Sequence, residues 1–365
     1  MNAYPRIRID LRQIQHNTET LSDLLHGFGI SIAAVTKLFC ADERIVKAIC
    51  CQSVDFLADS RLENIASYPK NDIKRMLLRA PAPDMAMEVV EYCDVSLNSE
   101  ALTLKALSKA ALDSNKNKPK KHGVILMIDM GDLREGIYYG NVKSITETVG
   151  LARELEGIDL LGIGVNLTCY GSVIPTSQNL NALCDIAHGL RQRFEISLPI
   201  ISGGNSSSMY LLKKGQNSQM PPQISNLRLG EIIARGVETA YGRPFEGLKQ
   251  DLIILEAQLV EIQNKPTVPE GEIGVNAFGE RPIFKNKGNR LRGIVSVGRQ
   301  DIDCAGIACL DEAVSVVGAS SDHLIVDLTD SKRLYNVGDV LEFSMNYSAI
   351  LRGFTSKYVK RTYIN

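Results

Sequence analysis

Lys37 closes the apolar run Ile30-Ser31-Ile32-Ala33-Ala34-Val35-Thr36, and a lysine at the end of a buried parallel strand stands where barrel enzymes keep their chemistry. Burial disfavours the ammonium form, so an amine there can shed its proton near neutral pH and condense with an aldehyde. The same spacing also suits a lysine that caps a strand and reaches water, as most lysines after strands do. The other polar clusters decide between the two. Gly203-Gly204-Asn205-Ser206-Ser207-Ser208 has the form of an anion cradle, in which glycines admit the backbone while serine hydroxyls and a helix N-terminus donate. A plain helix cap is compatible with that reading, because cap donors and anion donors are the same groups. Three more clusters follow apolar runs: Arg134 in the Gly-flanked stretch 129–136, Cys169 in 166–171, and Arg228-Leu229-Gly230-Glu231.

Positioning these groups on one site requires a repeating scaffold. Asp10 can cap a helix whose apolar residues Leu11, Ile14, Leu21, Leu24 and Leu25 share a face, with Gly27 where it would stop. Apolar runs follow near 31–36, 54–58, 75–79, 93–97, 123–129, 159–167, 198–202 and 226–230. They alternate with stretches of helical period such as 43–51, 99–112, 142–156 and 178–194. Eight strand-then-helix units predict a (β/α)8 TIM barrel, whose post-strand loops face one common site. From about 251 the pattern changes to strands expected at 251–262, 272–278, 290–298, 313–318, 324–328 and 340–345. This predicts a C-terminal, mostly antiparallel β domain. The expected division is 1–245 for the barrel and 246–365 for the β domain, with the first few residues able to pair with the latter. The basic run 114–121 and the segment 213–222 read as solvated loops.

The 41 Lys+Arg balance 42 Asp+Glu and 44% of residues are hydrophobic, a composition that leaves no footprint for nucleic acid and suits a two-domain soluble protein. The first residues lack the apolar core of a signal peptide, and no apolar run is long enough for a bilayer. The expectation is a cytoplasmic protein without membrane or nucleic-acid partners. Eight cysteines without CxxC spacing, mostly in apolar runs, read as reduced, buried thiols, and the five histidines show no HExxH or HxH pattern. A metal site is therefore not expected.

On a barrel, the Gly/Ser cradle follows the seventh strand, and late-strand loops are where barrels commonly bind phosphate. A nucleophilic lysine facing a phosphate cradle points to a phosphorylated aldehyde cofactor, pyridoxal 5'-phosphate (PLP). The chain resembles the alanine racemase type of PLP enzymes (fold type III), and within it the amino-acid racemases grouped with ornithine racemase. The resemblance is carried, in collinear order, by Tyr4-Pro5, Ile9-Asp10-Leu11 before Asn17, Ala34-Val35-Thr36-Lys37, the stretch 130–136, Gly203-Gly204-Asn205-Ser206, Arg228-Leu229-Gly230-Glu231, Gly298-Arg299-Gln300-Asp301, the stretch 318–323 and the segment 347–363. It implies that Lys37 holds the cofactor and serves as acid/base on one face. It further implies that Arg228 faces the pyridine nitrogen, and that Asn205, Ser206, Gly230, Glu231 and Tyr347 belong to the cofactor site, with Ser206, Gly230 and Tyr347 as phosphate contacts. Arg134 matches an arginine near the lysine and the substrate carboxylate. His16, His26, His122 and His188 match nothing in the family and read as surface or helix residues.

One departure bears on mechanism. The family's opposing tyrosine lies in a Gly-Tyr-x-Asp-Gly turn, but the corresponding stretch here is Gly274-Val275-Asn276-Ala277-Phe278-Gly279, and the usual tyrosine just after the lysine is also absent. Two groups must flank the substrate Cα, since a single base cannot readily deliver the proton to the opposite face. Cys169 and Asp301 are the candidates for the second, Asp301 from the partner of a homodimer with shared sites. The favoured substrate is ornithine or a related basic amino acid, because Asp132, Glu135 and Glu231 could receive a distal ammonium; equally, these acids could pair with adjacent arginines. Racemisation of alanine, serine or lysine, a D-amino-acid lyase or aldolase of the same fold, and a non-catalytic PLP carrier are the alternatives.

Overall fold

A computed structural model describes residues 4–114, 121–212 and 218–364. The chain divides into two compact units, Arg12–Gln250 and the stretches before and after it. In the first, the strands Ser31–Val35, Phe56–Asp59, Lys74–Leu77, Val95–Asn98, His122–Asp129, Ile158–Gly164, Ile200–Ser202 and Asn226–Leu229 lie parallel in that order. The sheet closes where Asn226 pairs with Ser31 and Leu229 with Ala34. This is the expected TIM barrel. The periodic stretches form the helices Glu43–Cys50, Ala101–Ser114, Val142–Glu154 and Ser177–Phe194, whereas Leu62–Ala66, Ala86–Tyr92 and Glu231–Arg235 make shorter ones.

Strands covered on both faces need apolar residues on both, and every residue of His122–Asp129 is buried. Alternate residues fill the barrel, among them Ala33, Val35, Phe56, Ala58, Met76, Val95, Leu97, Ile125 and Met127. Fully burying a side chain such as Met76 or Ile125 is worth about 1.5–3 kcal/mol. His122 is neither a surface nor a helix residue: it opens the fifth strand, buried, with its Nε2 2.8 Å from Ser96 Oγ. The helix Leu11–Gly27 starts directly after the strand Arg6–Asp10, of which Asp10 is the last residue. Its buried Asn17 accepts from the Lys249 amide (2.8 Å) and donates to the carbonyls of Lys249 (2.9 Å) and Ile233 (3.1 Å). These bonds fasten the helix to the last segment of the barrel unit.

The second unit is a sheet ordered Ile307–Cys309, Val340–Met345, Ile253–Pro266, Asn289–Val295, Leu324–Asp327 and Ser315–Ala319. Arg6–Asp10 adds to it, antiparallel to Ile253–Pro266 and parallel to Lys360–Ile364. Salt bridges from Arg6 and Arg8 to the buried Glu256 reinforce that register. The strand expected at 272–278 does not form. Asn276 instead turns the chain by accepting from the amides of Phe278 (2.9 Å) and Glu280 (3.0 Å), and Gly271 and Gly279 adopt left-handed φ. A self-bonding Asn between such glycines competes with the ladder. Elements that carried no signal strong enough to be read include the strands Ile307–Cys309 and Lys360–Ile364, and the helix Tyr347–Thr355, capped by Asn346 through the Ala349 amide. Most of the loop expected at 114–121, and the first half of that expected at 213–222, fall outside the described residues. Among the described residues no helix is long and apolar enough to cross a membrane.

Candidate active site at the C-terminal mouth of the barrel

The first barrel strand ends at Val35, and after Thr36 the chain turns into a 3-10 helix, Lys37–Phe39, which leaves Lys37 half-buried just beyond the strand's C-terminal end. Glu231 senses this amine. Burial pushes the Glu231 carboxyl up, while its hydrogen bond to Arg235, the Arg235 charge and the Lys37 charge pull it down. Lys37 and Glu231 therefore share one side of the mouth.

The loop after the seventh strand forms the cradle. Gly204 takes φ +111, a conformation side chains resist, and a Cβ there would lie 2.8 Å from Ser208 Oγ. Asn205 accepts from the Ser207 amide (2.8 Å) and donates to Asn166 Oδ1 (3.1 Å) and the Leu167 carbonyl (2.9 Å), joining this loop to the one after the sixth strand. The following helix is a six-residue 3-10 turn, Ser206–Leu211, capped by Asn205, with Ser208 Oγ donating to the Gly203 carbonyl (2.7 Å). Ser206 Oγ accepts from the Ile232 amide (3.3 Å), so the loops after the seventh and eighth strands meet there. Gly230 completes the floor: a Cβ would lie 3.1 Å from both Cβ and O of Val35. Ser207 Oγ is buried and, among the described residues, has no hydrogen-bond partner. Buried polar atoms are nearly always satisfied, so an orphan hydroxyl in a Gly/Ser pocket fits a phosphate oxygen as its partner.

Arg228, on the eighth strand, is 4% exposed. It donates to Ser202 Oγ and, at 2.7 Å, to the Val165 carbonyl. Burial lowers its pKa to about 10, with the charge of Glu135 opposing that, Arg134 adding to it and Cys169 opposing it. The guanidinium thus remains a cation at neutral pH. Burial also acts to lower Arg134, but its hydrogen bonds to Glu135 and the nearby Cys169, Glu135 and Asp132 outweigh that and raise it. Arg134, Glu135, Cys169 and Arg228 form one electrostatic cluster.

Cys169 is exposed, its Sγ 2.9 Å from Asn166 Nδ2 and 3.8 Å from Asn205 Nδ2. All eight cysteines are free, but only Cys93, Cys184 and Cys304 are buried, and Cys51 is exposed as well, so burial of the thiols is less general than the apolar runs suggested. Asp132 is not available to a substrate ammonium. Its buried carboxylate accepts from the amides of Cys169 (3.2 Å), Tyr170 (2.9 Å) and Val173 (3.0 Å), anchoring the loop after the sixth strand. Glu135 pairs with Arg134 and Glu231 with Arg235, so these acids are engaged by their arginine neighbours.

Asp301 and Tyr347 belong to the second unit. Asp301 accepts from Ser356 Oγ (2.6 Å). Arg299 turns instead to Glu280 (2.9 Å) and stacks over the Phe278 ring at 4.5 Å. Tyr347 begins the helix Tyr347–Thr355. Sequence reasoning missed Thr36, Asp59 and Tyr68, which form a buried hydrogen-bond network directly behind Lys37. An acid closing the second apolar run, Phe56-Leu57-Ala58-Asp59, was the available signal.

With this geometry in hand, comparison places the chain among known proteins. Residues 9–233 match the model of the alanine racemase N-terminal domain. The chain belongs to the alanine racemase family. An ornithine racemase of Acetoanaerobium sticklandii is 47% identical over 98% of this chain and 99% of its own, and a lysine racemase of Thermotoga maritima is 34% identical over 99% of both. Alanine racemase from Bartonella henselae, solved with covalently bound pyridoxal phosphate, superposes with a TM-score of 0.74 at 18% identity over the full length of both chains. The Bacillus anthracis enzyme, solved with bound L-Ala-P, gives 0.71 at 14% over 100% of this chain and 96% of its own. The racemase thus has the family's fold, a parallel barrel with a C-terminal antiparallel sheet.

Proposed function

We propose that this racemase interconverts the enantiomers of ornithine or a related basic amino acid, with PLP attached to Lys37. The observation that carries the reading is the convergence on one barrel mouth of a half-buried lysine, a buried arginine and a Gly/Ser cradle holding an orphan hydroxyl. The choice of substrate rests on the two curated relatives, an ornithine and a lysine racemase. When bound, PLP supplies an electron sink that acidifies the α-hydrogen of an attached amino acid. Ser206, Ser207 and Gly230 would hold its phosphate, with Asn205 fixing the loop, Glu231 flanking Lys37 and Tyr347 as a further phosphate contact. Arg228 would sit against the ring nitrogen, where a permanent cation keeps that nitrogen unprotonated.

Lys37 Nζ then holds or takes the α-proton on one face of Cα. Arg134, its charge partly balanced by Glu135, orients the substrate carboxylate. The opposite face needs a second acid/base. Our assignment is Asp301 of the partner subunit in a homodimer, which gives the β domain a role beside a barrel that already holds the cofactor. Cys169 is the rival, because its exposed thiol lies near Arg134 and Arg228 at the mouth of the barrel. We place the dimer in the cytoplasm.

Borohydride reduction followed by peptide mass spectrometry should find a pyridoxyl group on Lys37; finding it on another lysine removes the reading. Single enantiomers of ornithine, lysine, serine and alanine, followed by loss of optical rotation, test the substrate, and equal turnover of alanine and ornithine would refute the preference. Exchange in deuterated water separates the acid/base candidates. Loss of the true second group blocks deuterium entry from one enantiomer far more than from the other, and Asp301→Asn exchanging both at wild-type rates eliminates Asp301.

A further inference from the structure

The barrel interior takes Ala33 and Val35, so strand alternation turns Thr36 to the outer side of the sheet, where helices pack and apolar side chains are the rule. Thr36 is instead buried with polar company. Its Oγ1 lies 2.7 Å from Asp59 Oδ2 and 2.7 Å from Tyr68 Oη. The other Asp59 oxygen accepts from the Arg61 amide (2.9 Å) and from Asn64 Nδ2 (3.1 Å). With one proton per hydroxyl, the network has a direction when Asp59 is ionised: Tyr68 donates to Thr36, and Thr36 donates to Asp59. Burial pushes both the Asp59 carboxyl and the Tyr68 phenol up.

The turn this network abuts is strained. Thr36, at φ −98°, ψ −6°, leads into it. Cys40 and Ala41 are successive non-glycine residues in the left-handed region, at φ 48° and 52°. Residues persist there only where their surroundings over-determine them, and such strain gathers at functional sites. The turn's own backbone bonds return to the same residue, since the amides of Phe39 (2.9 Å) and Ala41 (3.4 Å) both donate to the Thr36 carbonyl. Fixing Thr36 therefore fixes the turn.

We propose that Asp59, through Thr36 and with Tyr68, is a positioning latch that holds the strained 37–41 turn and so sets where Lys37 Nζ stands for proton transfer. The proposal rests on the role given to Lys37 above. A satisfied buried polar network specifies geometry rather than merely adding stability, and this one ends one residue before the lysine.

Thr36→Val keeps the shape and removes the hydroxyl; Tyr68→Phe, Asp59→Asn and the conservative Thr36→Ser complete the set. In cofactor-free protein, Thr36→Val should leave the circular dichroism spectrum unchanged but accelerate hydrogen exchange at the Phe39 and Ala41 amides about tenfold or more, one lost hydrogen bond's worth. In the loaded enzyme kcat should fall about tenfold to a hundredfold with KM within about twofold, the penalty of a misplaced catalytic group. Thr36→Ser should restore both. Thr36→Val and Tyr68→Phe variants with wild-type exchange and wild-type kcat would overturn the latch, as would a kcat loss that only tracks the fraction of unfolded protein. Absence of a pyridoxyl group on Lys37 in the reduced wild-type enzyme would defeat the reading of Lys37 instead, while the exchange data still decide whether the turn is latched.

Discussion

Removing the Asp132 carboxylate should open the loop that carries Cys169. Asp132 is 1% exposed and spends both oxygens on backbone amides: Oδ2 on Tyr170 at 2.9 Å, Oδ1 on Val173 at 3.0 Å, and both more loosely on Cys169 at 3.2 and 3.4 Å. A hydrogen bond to an ionised acceptor contributes about 1.5–3 kcal/mol. Two good bonds at the lower end give about 3 kcal/mol for Asp132→Ala, since water reaches the exposed Cys169 and Tyr170 and softens the loss. The Asp132 carbonyl still accepts from the Gly171 amide, so the loop loosens rather than detaches. At about 1.4 kcal/mol per tenfold, amide exchange in 169–173 should quicken by about a hundredfold. Asp132→Asn retains one carbonyl oxygen but turns an N–H toward the other donors, and should fall between, near tenfold, as about half that loss. Hydrogen-exchange mass spectrometry of the cofactor-free protein reads this directly. Less than threefold acceleration in Asp132→Ala would show that the carboxylate does not anchor the loop, and would reopen Asp132 as a substrate contact.

Alkylation at pH 8 should modify Cys169 and Cys51, both exposed, and spare Cys93 and Cys184, which burial pushes up to about 12 and about 11; labelling of Cys93 in native protein would contradict its burial. Gly230→Ala forces a methyl to within 3.1 Å of Val35 Cβ and O, so it should cost about 1–3 kcal/mol of stability by overpacking and weaken PLP binding in an absorbance titration; unchanged affinity would remove Gly230 from the cradle. Glu231 is raised above its ordinary value, so the folded state binds the proton more tightly than the unfolded one. Its contribution is then fully present below the unfolded pKa and is lost as pH rises through the folded value. Glu231→Gln should therefore gain in melting temperature relative to wild type between pH 4 and 7; a widening deficit over that range would mean that the Arg235 pair dominates.

Much of this protein was legible in one dimension. Parallel strands buried on both faces must be short apolar runs, and runs such as 31–36 and 123–129, punctuated by helical period, fix the number of barrel units and hence which loops share the mouth. That logic alone brings Lys37, Arg134, Cys169, the 203–208 cradle and Arg228 to one end. The strand expected at 272–278 failed because Asn276 satisfies its neighbours' amides locally, a competition that a hydrophobicity pattern does not register. Pairing of Arg6–Asp10 with strands some 250 and 350 residues away depends on long-range register, which no local window contains. Partner choice among charges was likewise undecided: Asp132, Glu135 and Glu231 are equivalent as letters, yet one is consumed by three amides and the others by adjacent arginines. The sequence by itself determined the scaffold and the chemical inventory at its mouth, because strand and helix periods follow from backbone geometry. Only the tertiary structure decided which of those groups are spent on holding loops and which keep their chemistry, because hydrogen-bond partnership is set by distances between residues far apart in the chain.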